Sequence, residues 1–151
     1  MTIQRILVPV DYSEPSTKAL SLALEIAERL NAEIEVVHAW DKPAYITENV
    51  MSHRSEHTAP ALLDQIGQTA ETDLAEFLST IPVPQKLSLT HRLLSGEPGT
   101  QILRALREGN YDLVVMGTHG RSGLSHLLLG SVTERIVRLS SVPVLTVPRT
   151  R

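Results

Sequence analysis

Short unbroken apolar runs alternate along this chain with longer stretches whose apolar residues recur every three or four positions. The first run, Arg5-Ile6-Leu7-Val8-Pro9-Val10, is too short for a helix and suits a strand buried on both faces. Asp11-Tyr12-Ser13-Glu14-Pro15 breaks it. From Ser16 to Leu30, Ala19, Leu20, Ala23, Leu24, Ile26, Ala27 and Leu30 predict an amphipathic helix. Ser13 or Ser16 would cap it, Pro15 falls in the first-turn region, and Asn31 closes it. Glu33 to Ala39 reads as a second strand. Trp40 to Pro60 is polar and without a steady period, which predicts a loop or loosely helical excursion. Ala61 to Leu78 is helical, with Leu62, Ile66, Ala70, Leu74, Phe77 and Leu78 on one face, and Ile81-Pro82-Val83-Pro84 ends it.

Lys86 to Leu94 alternates, with Leu87, Leu89, His91 and Leu93 set against Ser88, Thr90 and Arg92, as in a half-exposed edge strand. Glu97-Pro98-Gly99 opens a helix carrying Ile102, Leu103 and Leu106, and Gly109-Asn110 terminates it. Asp112 to Met116 is the fourth strand. Ser131 to Leu139 is a helix, with Val132, Ile136, Val137 and Leu139 apolar. Val142 to Pro148 is the last strand, and its two prolines remove ladder donors, which puts it at an edge.

A helix lies in every gap between strands. Five strands and four helices in alternation predict one α/β domain over residues 1–151, a doubly wound, Rossmann-like parallel sheet with helices on both faces. The third and fifth strands look like edges and the first and fourth like the centre, which the order 3-2-1-4-5 satisfies. In that order the winding reverses between strands 1 and 4, and a ligand crevice opens at their carboxyl ends. Asp11 and the glycine-rich stretch that begins at Gly117 are thereby brought to one place.

That stretch, Met116 to Thr133, holds Gly117, Gly120, Gly123 and Gly130, half of the eight glycines in the chain. A strand passing through a glycine-rich loop into a helix start binds phosphate, because backbone N–H groups close on the anion without a Cβ in the way. Ser131 and Thr133 add hydroxyls in the first helical turn, where Ser131 would also serve as an ordinary cap. Asp11 has two readings: a carboxylate accepting from ribose hydroxyls, or the start of a turn with Ser13. The loop is neither a Walker A sequence, since Leu129-Gly130-Ser131 has no lysine before the serine, nor G-x-G-x-x-G.

Charge sharpens the picture a little. The net charge of −3 argues against nucleic-acid binding, yet residues 101–151 carry seven basic residues against three acidic ones. The glycine-rich stretch lies in that basic third, which suits a small anion. The absence of cysteine excludes disulfides and thiolate metal sites. No apolar run approaches a membrane span, and Met1-Thr2-Ile3-Gln4 leads into a strand instead of a signal peptide, so the expectation is a cytoplasmic protein without membrane insertion. His53 and His57, four apart, read as a solvated pair and not as metal ligands. His119 lies in the loop facing phosphate or water, and His38 reads as a partly buried structural residue.

Gly117-x2-Gly120-x9-Gly130-Ser131 resembles the G-2x-G-9x-G-[ST] motif of the universal stress protein family. Ile6-Leu7-Val8-Pro9-Val10-Asp11 is similar to its opening strand, and Val142-Pro143-Val144-Leu145 to its closing one. The resemblance spans nearly the whole chain and implies the ATP-binding branch. ATP, AMP and ADP stay open as the native ligand, and Mg²⁺ is the expected companion of ATP. Carried over by position, Pro9, Val10 and Asp11 would line the adenine and ribose side, and Ala39 would meet adenine through its backbone. Met116 and Gly117 would flank the nucleotide, while Gly120, Arg121, Gly130, Ser131, Val132 and Thr133 would hold the phosphates. The family also implies a homodimer through Val142 to Val147. A stress-response regulator acting through its nucleotide or dimer state is the reading favoured here. A slow ATPase or phosphotransferase using the same pocket is the alternative, and a pure interaction module is a third.

Overall fold

The computed structural model describes residues 2–40, 58–118 and 129–149, with side chains of 58–63 excepted. Its elements run β1 (Arg5–Pro9), α1 (Glu14–Leu30), β2 (Glu33–Trp40), α2 (Thr58–Ser79), β3 (Leu89–Ser95), α3 (Pro98–Glu108), β4 (Leu113–Gly117), α4 (Ser131–Leu139) and β5 (Val144–Val147). The five strands form one parallel sheet in the order β3-β2-β1-β4-β5. This is the doubly wound architecture and strand order expected from the sequence.

Alternation along the strands assigns the two faces. Ile6, Val8, Ile34, Val36, Leu113 and Val115 point to one side, where they pack against Ala19, Leu20, Ala23, Leu24 and Ala27 of α1 and Leu74 of α2. Leu7, Val37, Val114 and Met116 point to the other and meet Ile102, Leu103 and Leu106 of α3 and Ile136 of α4. Pairing Ile6 with Leu113 on one face and Leu7 with Val114 on the other puts apolar residues side by side on each face. Burying a side chain of this size contributes about 1.5–3 kcal/mol, so these two layers hold the helices to the sheet.

Several element boundaries differ from the periodicity, each for a local reason. Helix α1 begins at Glu14, two residues early, because Ser13 is the cap and its hydroxyl accepts from the Ser16 amide. Pro15 sits at the start of the helix, where no intrahelical donor is lost, and Asn31 ends it in the left-handed conformation, φ 54°. Strand β2 extends through Trp40, which pairs with Ser95. Helix α2 starts at Thr58, so both ends of the expected Trp40–Pro60 excursion belong to regular elements. Residues 41–57, with His53 and His57, lie outside the described residues.

Strand β3 starts at Leu89 and not Lys86, since a turn closed by Leu87 N–H to Pro84 carbonyl (3.0 Å) occupies its expected beginning. Within it His91 is exposed, whereas Leu94 is buried against α3. Strand β5 is trimmed to Val144–Val147, the span between the two prolines that cannot donate. No described helix is long and apolar enough to cross a membrane.

Candidate functional site

A cavity of about 300 Å³ opens at the carboxyl ends of β1 and β4, where the sheet winding reverses. β1 and the residues after it contribute Pro9, Val10 and Asp11, β2 contributes Ala39, and β4 contributes Met116 and Gly117. The start of α4 contributes Gly130, Ser131, Val132 and Thr133. The fold thus gathers at one cavity ten of the thirteen residues singled out from the sequence. The other three, His119, Gly120 and Arg121, lie outside the described residues.

Ser16, Pro98 and Ile102 also line the cavity and were missed. Ile102 had been spent on the core by helical period. Only the winding of α3 toward the face containing the switch point shows that its first turns border the crevice. Ser16 belongs to the first turn of α1, and its closeness to Asp11 follows from the turn between them.

Two hydrogen bonds to backbone carbonyls close the far side. Gly130 N–H donates to the Thr118 carbonyl at 2.8 Å, and Thr133 Oγ1 donates to the Gly117 carbonyl at 2.9 Å. Together they hold the start of α4 against the end of β4. Gly117 itself is required by packing: a Cβ there would lie 2.8 Å from Pro15 Cβ, 2.9 Å from the Pro15 carbonyl carbon and 3.0 Å from Ser16 N. The sequence reading assigned Gly117 to ligand approach, and close contact between β4 and α1 is a second, purely structural reason for glycine.

Asp11 forms the turn with Ser13 that one of its two readings expected. Its Oδ1 accepts from the Ser13 amide at 3.1 Å and, in a short hydrogen bond, from the Ser13 hydroxyl. This is the turn expected of a structural aspartate, yet the residue still faces the cavity. Behind it, His38 donates from Nδ1 to the Val10 carbonyl at 2.8 Å, since a carbonyl can only accept. The His38 ring stacks on Tyr12 at 4.4 Å, which makes His38 the half-buried structural residue expected.

Three helix N-termini border the cavity, through Ser16 of α1, Pro98 of α3 and Gly130–Thr133 of α4. Ser13 caps the first. Glu97 caps the second, accepting from the Gly99 and Thr100 amides at 2.9 and 2.8 Å and from the Thr100 hydroxyl at 2.6 Å, with Arg135 Nη1 2.8 Å away. The Thr100 hydroxyl, the two amides and the Arg135 charge lower the Glu97 carboxyl to about 2. The third has no side-chain cap: Gly130 stands at the N-cap, and the Ser131 cap expected from the sequence is not formed. The amides of the first helical turn have no intrahelical acceptors, and they carry the positive end of the helix dipole. Such an end accommodates an anion.

The universal stress protein family model matches residues 2–148. The chain belongs to the universal stress protein family. It is similar to universal stress protein MJ0531 of Methanocaldococcus jannaschii, at 30% identity over 146 residues that cover 97% of this chain and 82% of that one. The solved structure of MJ0577, described as a hypothetical protein whose biochemical function was assigned from structure, superposes with a TM-score of 0.81 at 24% identity, covering 100% and 99% of the two chains. A universal stress protein solved in complex with cAMP superposes with a TM-score of 0.66 at 22% identity, covering 97% and 98%.

Proposed function

We propose that this stress-response family member binds an adenine nucleotide (ATP, ADP or AMP) in the β1–β4 crevice and acts as a regulator. The observation that carries the reading is the contrast among the three helix ends. Two are satisfied by the chain's own Ser13 and Glu97, and the one at α4 is left for an external acceptor. A phosphate there would meet the amides of Ser131, Val132 and Thr133, and we assign Gly120, Arg121 and His119 to the same group from the sequence. The apolar groups of Pro9, Val10, Ala39, Met116 and Ile102 suit a base, and Asp11 suits ribose hydroxyls. The cAMP-bound relative supports an adenine nucleotide as the ligand class.

Binding is favoured over turnover because the glycine-rich stretch lacks the phosphate-gripping lysine of a Walker A loop, and the described cavity wall offers one carboxylate, Asp11. Among the described residues no three potential ligands gather to hold a metal. Mg²⁺ arriving with ATP would therefore take its ligands chiefly from phosphate oxygens and water. The regulatory output is a homodimer through Val142 to Val147. β5 is a sheet edge whose Leu145 is exposed, as are Val137 and Leu139 of α4. Its place of action is the cytoplasm.

The test is to denature freshly purified protein and identify released nucleotide by chromatography and mass spectrometry, then to titrate the emptied protein with ATP. Released adenine nucleotide, or saturable ATP binding that Asp11→Ala weakens in a folded protein, is the expected result. Neither release nor binding would leave an interaction module, and the reading would be withdrawn.

A further inference from the structure

We propose that Ser13 is a positioning residue for Asp11. By engaging one carboxylate oxygen it leaves the other as the single acceptor offered to a hydroxyl of the bound ligand. The inference rests on the nucleotide reading above and adds the residue that sets how selectively a ribose is read.

The turn after β1 is held from several directions. Asp11 Oδ1 takes both the amide and the hydroxyl proton of Ser13. The Asp11 amide donates to Ser16 Oγ at 3.4 Å, and Ser16 Oγ donates back to the Ser13 carbonyl at 2.9 Å. Between them Tyr12 adopts φ 65°, a left-handed conformation that costs a bulky residue free energy, and it is kept there by stacking on His38 and packing against Phe77 at 5.2 Å.

A helix cap alone does not account for this geometry. The Ser13 hydroxyl has one proton, and a carboxylate can only accept, so the proton goes to Asp11. Its lone pair serves the cap through a long 3.4 Å contact from the Ser16 amide. The better of the two hydrogen bonds is therefore the one to Asp11. Among the described residues no group donates to Asp11 Oδ2.

One oriented acceptor on a carboxylate that lines the crevice makes affinity depend on a ligand hydroxyl. A carboxylate released from Ser13 could turn away or take water in its place. The loss should fall on ligands bearing ribose hydroxyls and spare those without them, whereas loss of the α1 cap would weaken all ligands alike.

The experiment is calorimetric titration of the emptied protein with ATP and with 2′,3′-dideoxy-ATP. The proteins are wild type, Ser13→Ala, Ser13→Thr, Asp11→Ala and the Asp11→Ala/Ser13→Ala double variant. Wild type should prefer ATP by about tenfold or more, as for a hydrogen bond to a charged acceptor. Ser13→Ala should cut that preference about fivefold. Ser13→Thr, which keeps the hydroxyl, should restore it, and Ser13→Ala should change nothing further once Asp11 is alanine.

Should Ser13→Ala fail to fold, Ser13→Gly removes the hydroxyl at a cap position where glycine is well tolerated. A preference unchanged in Ser13→Ala, or equal weakening of both ligands, overturns the proposal while nucleotide binding stands. Wild type that binds both ligands equally overturns it in the same way. Wild type that binds neither removes the nucleotide reading, and the proposal falls with it.

Discussion

Gly117→Ala tests the contact on which fold and site both depend. The added Cβ would fall 2.8 Å from Pro15 Cβ, 2.9 Å from its carbonyl carbon and 3.0 Å from Ser16 N. Two of the three neighbours are backbone, so no side-chain rotation relieves the clash. The end of β4 and the start of α1 must separate by several tenths of an ångström, in a region where Val115, Met116 and Ser16 are buried. Overpacking of this kind costs about 1–3 kcal/mol. For a chain near 150 residues, about 2 kcal/mol lowers Tm by roughly 4–8 °C. Urea unfolding should show a lower midpoint with an unchanged m-value, because the native contact is altered and the surface exposed on unfolding is not. Because Ser16 accepts from the Asp11 amide, the same shift should weaken nucleotide binding. A Gly117→Ala protein within about 0.5 kcal/mol of wild type would refute the packing argument, since that is the range of neutral surface substitutions.

Three further outcomes are expected. Gly67 lies inside α2 with nothing within 4 Å of an added Cβ, so Gly67→Ala should raise stability by about 0.5–1 kcal/mol in urea unfolding. Glu97 is lowered from 4.5 to about 2, so the stability it supplies is present above pH 4.5 and is lost as pH falls from there toward 2. Glu97→Ala should flatten the stability–pH curve over that window, by an amount near 1 kcal/mol because half of the side chain is in solvent. Glu35 is buried and accepts from Arg5 at 2.9 Å, from Arg92 at 2.7 Å and from the Tyr111 hydroxyl. Burial, followed by the neighbouring Glu35 carboxylate, raises the Tyr111 hydroxyl above its ordinary range. Glu35→Gln should destabilise by about 1–3 kcal/mol and, by removing that negative charge, bring the Tyr111 titration down; ultraviolet pH titration would follow the second effect.

The architecture was legible in the sequence because its information is local and periodic. Runs such as Arg5–Val10 and Leu113–Met116 are too short and too apolar for anything but strands covered on both faces, and a helical period fills every gap between strands. Parallel pairing with short right-handed crossovers then leaves little freedom, and the convergence of Asp11 with Gly117 and Gly130 follows from topology. The tertiary structure decided what depends on atoms from different elements meeting at close range. It made Gly117 a packing necessity against Pro15 and Ser16, committed Thr133 to the Gly117 carbonyl, and turned Ile102 from simple core into cavity wall. It also placed the cap of α3 on Glu97 and left α4 without one, a difference no residue-type preference foretold, since Ser131 is the better cap by composition. Periodicity tells which face of an element is buried. Which hydroxyl gives its proton to which neighbour is settled by distances of a few tenths of an ångström between segments far apart in the chain, and only the assembled fold sets those.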